Sequence, residues 1–209
     1  MRLILTLSLW IVFVPVFSQG PSPAVGPAGD PKGTAPSPWA PPTARDRLSW
    51  FARSSFGLEN WAAGTFTSAF WTAFNRPEEW GEGWEGFGKR FASRQACVVI
   101  ANGVEAGIGA VWGEDPRYRR QGEGAFWSRT GYAFKTTFTA YDRSGRLKPA
   151  WARYAGLLTA AFTANTWSPP SCSHWHDGLE RAGWGILERF AGNLFAEFWP
   201  DVWRKIRGK

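Results

Sequence analysis

The ionisable residues of this chain that could do chemistry fall into four groups. Glu105 stands alone inside Ala96–Gly113, ACVVIANGVEAGIGAVWG, the most apolar run after the N-terminus. A carboxyl in such a run is either neutralised by a cation or left facing a cavity as a reactive acid. Arg153 and Arg189 are the structural partners the sequence offers it. Glu114 and Asp115 form the second group, in GEDPRYRRQGEG beside Arg117, Arg119 and Arg120. Acids and guanidiniums this close on a loop make either a local ion-pair network, worth less than about 1 kcal/mol per exposed pair, or a surface binding site. Glu78, Glu79, Glu82 and Glu85 alternate with glycines, Trp80 and Trp84 in EEWGEGWEGFG. Clustered oxygens suit a hard cation, but no calcium-loop spacing is present. The last group is SCSHWHDG, where Cys172, His174, His176 and Asp177 are metal ligands by type. Their spacing is that of no familiar zinc site, so a polar loop is the plainer reading, and no metal or cofactor is expected.

None of these groups carries a catalytic signature. There is no GxSxG, no HExxH, no phosphate-binding glycine loop and no Cys/His/Asn arrangement. Glu105, Glu114 and Asp115, and the carboxylates of 78–85, are the candidates for carboxylate catalysis. A glycan hydrolase would need two carboxylates about 5–9 Å apart across a cleft. Trp80, Trp84, Arg117, Arg119 and Arg120 are candidate binding residues by type.

Helices must position these groups. In WAAGTFTSAFWTAF (61–74) small residues recur at Gly64, Ser68 and Thr72, with bulky ones between. The same step recurs at Gly103/Gly107, at Gly156/Ala160/Ala164 and at Gly192/Ala196. Small residues every fourth position cut a groove along a helix and let a neighbour approach closely. The expectation is an all-α, closely packed bundle of Gly/Ala-grooved helices. Helices are predicted over 61–74, 89–112, 150–167 and 179–206, with Ala96–Gly113 central and the grooves of the others against its glycines. Leu179, Ala182 or Gly183, Ile186, Phe190, Leu194 and Phe198 trace the face of the last helix expected to be buried. Pro200 is expected to kink or interrupt that helix. The stretch 78–88 is a loop, or a helix whose glycines admit another backbone. GYAFKTTFTAY, within 125–141, fits a hairpin or a short helix.

The ends say where the protein belongs. Met1-Arg2, the apolar run Leu3–Phe17 and Ser18 before Gln19 have the form of a secretory signal peptide over 1–18. Residues 19–43 hold eight of the chain's 15 prolines. That composition cannot build a core and reads as a disordered tether. Residues 44–209 then form one domain. Export makes a disulfide between Cys97 and Cys172 an alternative to two free thiols. The C-terminal DVWRKIRGK places Trp203 with Arg204, Lys205 and Arg207 on a basic amphipathic tail suited to an anionic membrane surface. The formal net charge is +7, yet no run of five basic residues and no nucleic-acid module occurs, so nucleic acid is not expected as a partner. The 15 Trp and 16 Phe suit cores, sugar platforms and membrane interfaces alike. A β-barrel would need many alternating strands, and only 125–141 offers one.

RPEEWGEGWEGFGKR, GEDPRYRR, TANTWSPP and AGNLFAEFWPDV together resemble a group of exported bacterial proteins, common in acidobacteria, without an assigned activity. The likeness spans roughly residues 55–205. It implies that the four blocks share one domain, and it implies export. It brings no catalytic residues and no cofactor.

The chain thus reads as a non-enzymatic structural or interaction protein of the bacterial cell envelope, periplasmic or outer-membrane-associated. Its partners would be membrane or cell-wall components, or further copies of itself. The alternatives are an envelope hydrolase acting on glycan or lipid through Glu/Asp carboxylates, and a Trp-based carbohydrate-binding module. The module predicts coplanar, solvent-facing indoles; the bundle predicts buried ones.

Overall fold

A computed structural model describes residues 40–208. The signal peptide and nearly all of the tether lie outside that range. The described chain is all-α apart from one short hairpin. Its helices are α1 Ala44–Phe56, α2 Leu58–Ala73, α3 Gly83–Trp112, α4 Phe126–Phe138, α5 Trp151–Thr163 and α6 Trp175–Ile206. Strands β1 Thr139–Tyr141 and β2 Leu147–Pro149 pair antiparallel between α4 and α5. GYAFKTTFTAY is therefore a helix that runs into a hairpin strand.

The helix ends follow from local chemistry. Thr43 and Asp46 form a capping box that starts α1. His174 and Asp177 form another that starts α6. Gly113 ends α3 in the left-handed conformation. Pro200 does not break α6, which continues to Ile206. The helix tolerates it because the lost N–H bond is one of many along 32 residues.

α3 is the centre, packed on α5 along most of its length and on α1 and α2 beside it; α6 covers α5 and α4. The closest approach is at Gly156 of α5. A Cβ there would stand 2.4 Å from the Ala101 carbonyl oxygen and 3.3 Å from the Glu105 nitrogen. The grooved-helix expectation holds on α5 but not on the expected face of α3. Gly107 has nothing within 4 Å, and Gly103 meets only the edge of the Phe51 ring. The Ala101–Glu105 face, one residue-step away, is the one that meets α5.

The interior is the reverse of a common globular core. Its buried apolar residues are Trp50 and alanines. Its buried polar residues include Arg90, Glu105, Arg129, Arg153, Arg189, Asn193 and Glu197. Large apolar side chains face outward on every helix, among them Leu48, Leu58, Trp84, Trp127, Leu158 and Leu187. The last helix shows the inversion most clearly. Its buried residues are Gly178, Ala182, Arg189, Gly192, Asn193 and Glu197. Of the stripe expected to be buried, only Ala182 is; Leu179 is exposed.

Candidate functional site

Three buried ionic assemblies hold the helices together, and a cavity opens among α2, α3, α5 and α6. At the cavity's inner end lies Glu105. It accepts from Arg153 Nε at 3.1 Å and from Arg189 Nη2 at 3.3 Å. All three side chains are nearly inaccessible to solvent. Other guanidinium protons of the two arginines go to carbonyls. Arg153 Nη1 donates to Thr136 and Thr137 at 2.8 and 2.7 Å, and Arg189 Nη2 to Pro116 at 2.7 Å. A buried charge persists only when paired and hydrogen-bonded in this way. Burial and the Arg153 charge push Arg189 down to about 10, so it stays protonated at neutral pH. Glu105 thus joins α3 to α5 and α6 as a structural anion.

The second assembly corrects the reading of Glu114, Asp115 and their arginines as an exposed loop. Asp115 is buried and accepts from Arg117 Nε at 2.9 Å, Arg117 Nη2 at 3.0 Å and Arg119 Nη2 at 3.3 Å. Its own N–H donates to the Tyr141 carbonyl at 2.8 Å. Glu114 is also buried and accepts the Ala152 N–H at 2.9 Å, which caps the start of α5. Burial raises its carboxyl above the usual range. These acids are positioned as fasteners.

The third assembly carries a residue that sequence reasoning passed over. Glu197 is wholly buried. Its carboxylate accepts from Tyr118 Oη at 2.7 Å, Arg129 Nε at 2.8 Å, Gln121 N at 3.0 Å and Gly122 N at 2.9 Å. Arg120 Nη2 reaches Asp201 at 2.6 Å, one turn further along α6, and Arg129 Nη2 reaches it at 2.6 Å. Burial pushes both carboxyls up, but these donors outweigh it and hold each below its ordinary value. Burial, then the Glu197 hydrogen bond, raises the Tyr118 phenol well above its usual range. The sequence signal was two acids a turn apart in the mostly apolar stretch 190–203 of α6.

The cavity has a volume of about 920 Å³. Trp71, Val98, Ala101, Leu157, Ala160 and Trp184 give it apolar wall; Arg90, Arg94 and Arg181 stand among them. Arg90 binds the loop before α3 by donating to Arg76, Pro77 and Gly81 carbonyls at 2.7, 2.9 and 2.8 Å. Gly81, at φ +72°, brings its carbonyl so close that a Cβ on Gly86 would stand 2.1 Å from it. The glycines of EEWGEGWEGFG thus serve both alternatives at once, a loop and a helix that admits backbone. Trp80 lines the cavity, whereas Trp84 points to solvent, so the two do not form one platform. Cys97 and Cys172 are free thiols that both line the cavity. Burial raises the Cys97 thiol, which makes it a poor nucleophile.

His174, His176 and Asp177 place ligand atoms within 4.8 Å of one another, without Cys172. The trio could hold a soft divalent cation. Two of its members are already spent on the α6 capping box, where the His174 N–H donates to Asp177 Oδ2 at 2.8 Å.

The tail keeps an aromatic stripe outside the fold. Phe195, Trp199 and Trp203 stack in sequence at 4.9 and 5.8 Å between ring centroids. Arg207 lies 4.6 Å over the Trp203 ring, and Arg204 pairs with Asp201. Lys205 is exposed. The bundle's expectation of buried indoles is overturned here and at Trp61, Trp84, Trp127, Trp151 and Trp175, all exposed.

No family model, no curated protein and no solved structure matches the chain.

Proposed function

We propose that this is a non-enzymatic interaction protein of the bacterial cell envelope, associated with membrane through its outward apolar side chains. The observation that supports the reading is the inverted interior: charges paired within and Phe, Trp and Leu facing out on all six helices. In lipid, burying ionisable groups in pairs between helices and exposing apolar ones is the stable arrangement. In water, this much exposed apolar surface marks a contact face. Helix α3 is also long and apolar enough to cross a membrane by length and composition, and the tail offers Trp203, Arg204, Lys205 and Arg207 to an anionic surface. Exposed aliphatics such as Leu48, Leu58 and Leu187 accompany the indoles. Sugars stack on aromatic rings and gain little from aliphatic side chains, so lipid fits this exterior better than glycan. The hydrolase reading is weaker, because Glu105 is held by two guanidiniums, Asp115 by two more, and Glu114 by backbone amide.

Export, through the leader and the Pro-rich tether, and the likeness to exported proteins belong to the same proposal. Flotation with vesicles followed by carbonate washing tests it. Protein that stays with the vesicles supports the reading. Monomeric protein left at the bottom of the gradient sinks it, and a soluble oligomer would assign the apolar exterior to further copies of the chain.

A further inference from the structure

The cavity among α2, α3, α5 and α6 carries more than packing requires. Asn60, Gly64, Ser68 and Thr72 recur every fourth residue of α2 and share one face. Two arginines of α3 bracket that face. Arg94 Nη1 donates to Asn60 Oδ1 at 2.9 Å and lies 3.1 Å from where a Gly64 Cβ would be. Arg90 Nη1 reaches Thr72 Oγ1 at 3.5 Å. Ser68 sits between them in the cavity wall, 2% exposed, and its hydroxyl has no hydrogen-bond partner among the described residues. The Arg94 Nε–H is buried and unpartnered too. Two buried donors left unused beside a cavity are costly unless something occupies them.

Charge points the same way. Arg90, Arg94 and Arg181 bond only neutral oxygens. Arg181, for example, donates to the Ala161 carbonyl at 3.1 Å and to Asn165 Oδ1 at 2.5 Å. No carboxylate among the described residues makes an ion pair with any of the three. The acids that share the lining are Glu105, buried and paired with Arg153 and Arg189, Glu78, Glu79 and Glu180, which are exposed, and Glu188 and Asp177, which are half-buried. The one buried acid of the lining is thus taken by Arg153 and Arg189, and Arg90, Arg94 and Arg181 have no counter-ion there among the described residues. Trp71, Val98, Ala101, Leu157, Ala160 and Trp184 supply apolar wall, and at about 920 Å³ the cavity has the size of a pocket for a lipid-sized molecule.

We propose that this cavity binds a single-chain amphiphile with an anionic head, a carboxylate or a phosphate. Ser68 Oγ and Arg94 Nε donate to the head, Arg90 and Arg181 supply positive potential, and the chain lies along Val98, Leu157 and Trp184. This goes beyond membrane association and does not depend on it, because it concerns an open pocket between helices and not the outward apolar side chains.

A diazirine-bearing C16 carboxylic acid, photolysed with the purified full chain and mapped by peptide mass spectrometry, tests it. Adducts are expected on cavity-lining segments of α3, α5 and α6. Palmitate should compete with them, and its methyl ester should not. Ser68→Ala and Arg94→Gln should each weaken cavity labelling about tenfold or more, the worth of one hydrogen bond to a charged group. Adducts on exposed side chains such as Trp127 should not change. Ser68→Ala should also melt no lower than the parent without ligand, because the hydroxyl it removes is unpartnered, so misfolding cannot explain its effect. Lysophosphatidate competing better than palmitate would assign the head as phosphate. The proposal is overturned by labelling confined to the exterior, by equal competition from the ester, by inorganic phosphate competing as well as the long-chain acids, or by both variants labelling like the parent. Exterior labelling reports on the membrane reading separately.

Discussion

Replacing Glu105 by Gln removes the one anion that Arg153 and Arg189 share. The side chain keeps its size and one acceptor oxygen, so the change is chiefly electrostatic. It leaves two guanidiniums, each about 5% exposed, facing one another without a counter-charge. Breaking a buried ion pair from one side costs about 3–5 kcal/mol. The lower end applies here, because Arg153 keeps its bonds to the Thr136 and Thr137 carbonyls, Arg189 keeps Pro116, and glutamine can still accept one bond. A loss of about 3 kcal/mol is a large share of a domain stability of about 5–15 kcal/mol. At about 2–4 °C per kcal/mol for a domain this size, the melting midpoint followed by circular dichroism at 222 nm should fall by about 6–12 °C. Adding Arg189→Gln should recover part of that loss, since it removes one stranded cation. A Glu105→Gln variant that melts with the parent would refute the claim that this acid neutralises the interior.

The other expectations concern packing, the Glu197 knot, pH and the tail. Gly156→Ala places a methyl 2.4 Å from the Ala101 carbonyl and should cost about 2 kcal/mol or more. Gly107→Ala meets nothing and should gain up to about 1 kcal/mol of helix propensity; the two melting curves should therefore move in opposite directions. Glu197→Gln removes the charge that Arg129, Tyr118 and two backbone amides share and should cost about 3 kcal/mol at neutral pH, read by urea denaturation. Glu197 and Asp201 both have carboxyls held below their ordinary values. Their contribution is complete above the unfolded value of about 4 and fades as pH falls below it, so the penalty of Glu197→Gln should shrink in acid. Trp203, 42% exposed, would bury about half its surface again on a membrane, worth about 1 kcal/mol; Trp203→Ala should weaken binding to anionic vesicles roughly fivefold in a sedimentation assay.

The helices were legible where local pattern decides them. The small-residue step on 61–74 and 150–167 and the long period of 179–206 each correspond to a helix. The cap residues Thr43 and Asp46 also stood in the sequence, but ARDRLSWFARSSF has no continuous apolar stripe, so α1 gave no clear period. The orientation of α6 was not legible. Reading its apolar stripe as the inner face assumes water outside, and here the buried residues are Arg189, Asn193 and Glu197. Likewise, the loop 114–124 looked solvated because charges so rarely bury. Arg117 and Arg119 do pair locally, with a buried Asp115, but Arg120 finds its partners 77 and 81 residues away, at Glu197 and Asp201, and no local pattern encodes such pairing. Glu105 was legible in kind, with both of its arginines in view, because an acid in an apolar run demands a cation. Ser68 stood in the sequence as one small residue in a groove; its unsatisfied hydroxyl exists only once α3 sets arginines on either side.

The contact proposed above is between the outward Phe, Trp and Leu side chains and lipid. Tryptophan quenching by brominated phosphatidylcholine measures that contact directly. With full-length protein and vesicles, the exposed indoles of Trp84, Trp127 and Trp175 should be strongly quenched, and buried Trp50 should not. Emission unchanged by brominated lipid, from protein that is monomeric in buffer, would contradict the claim.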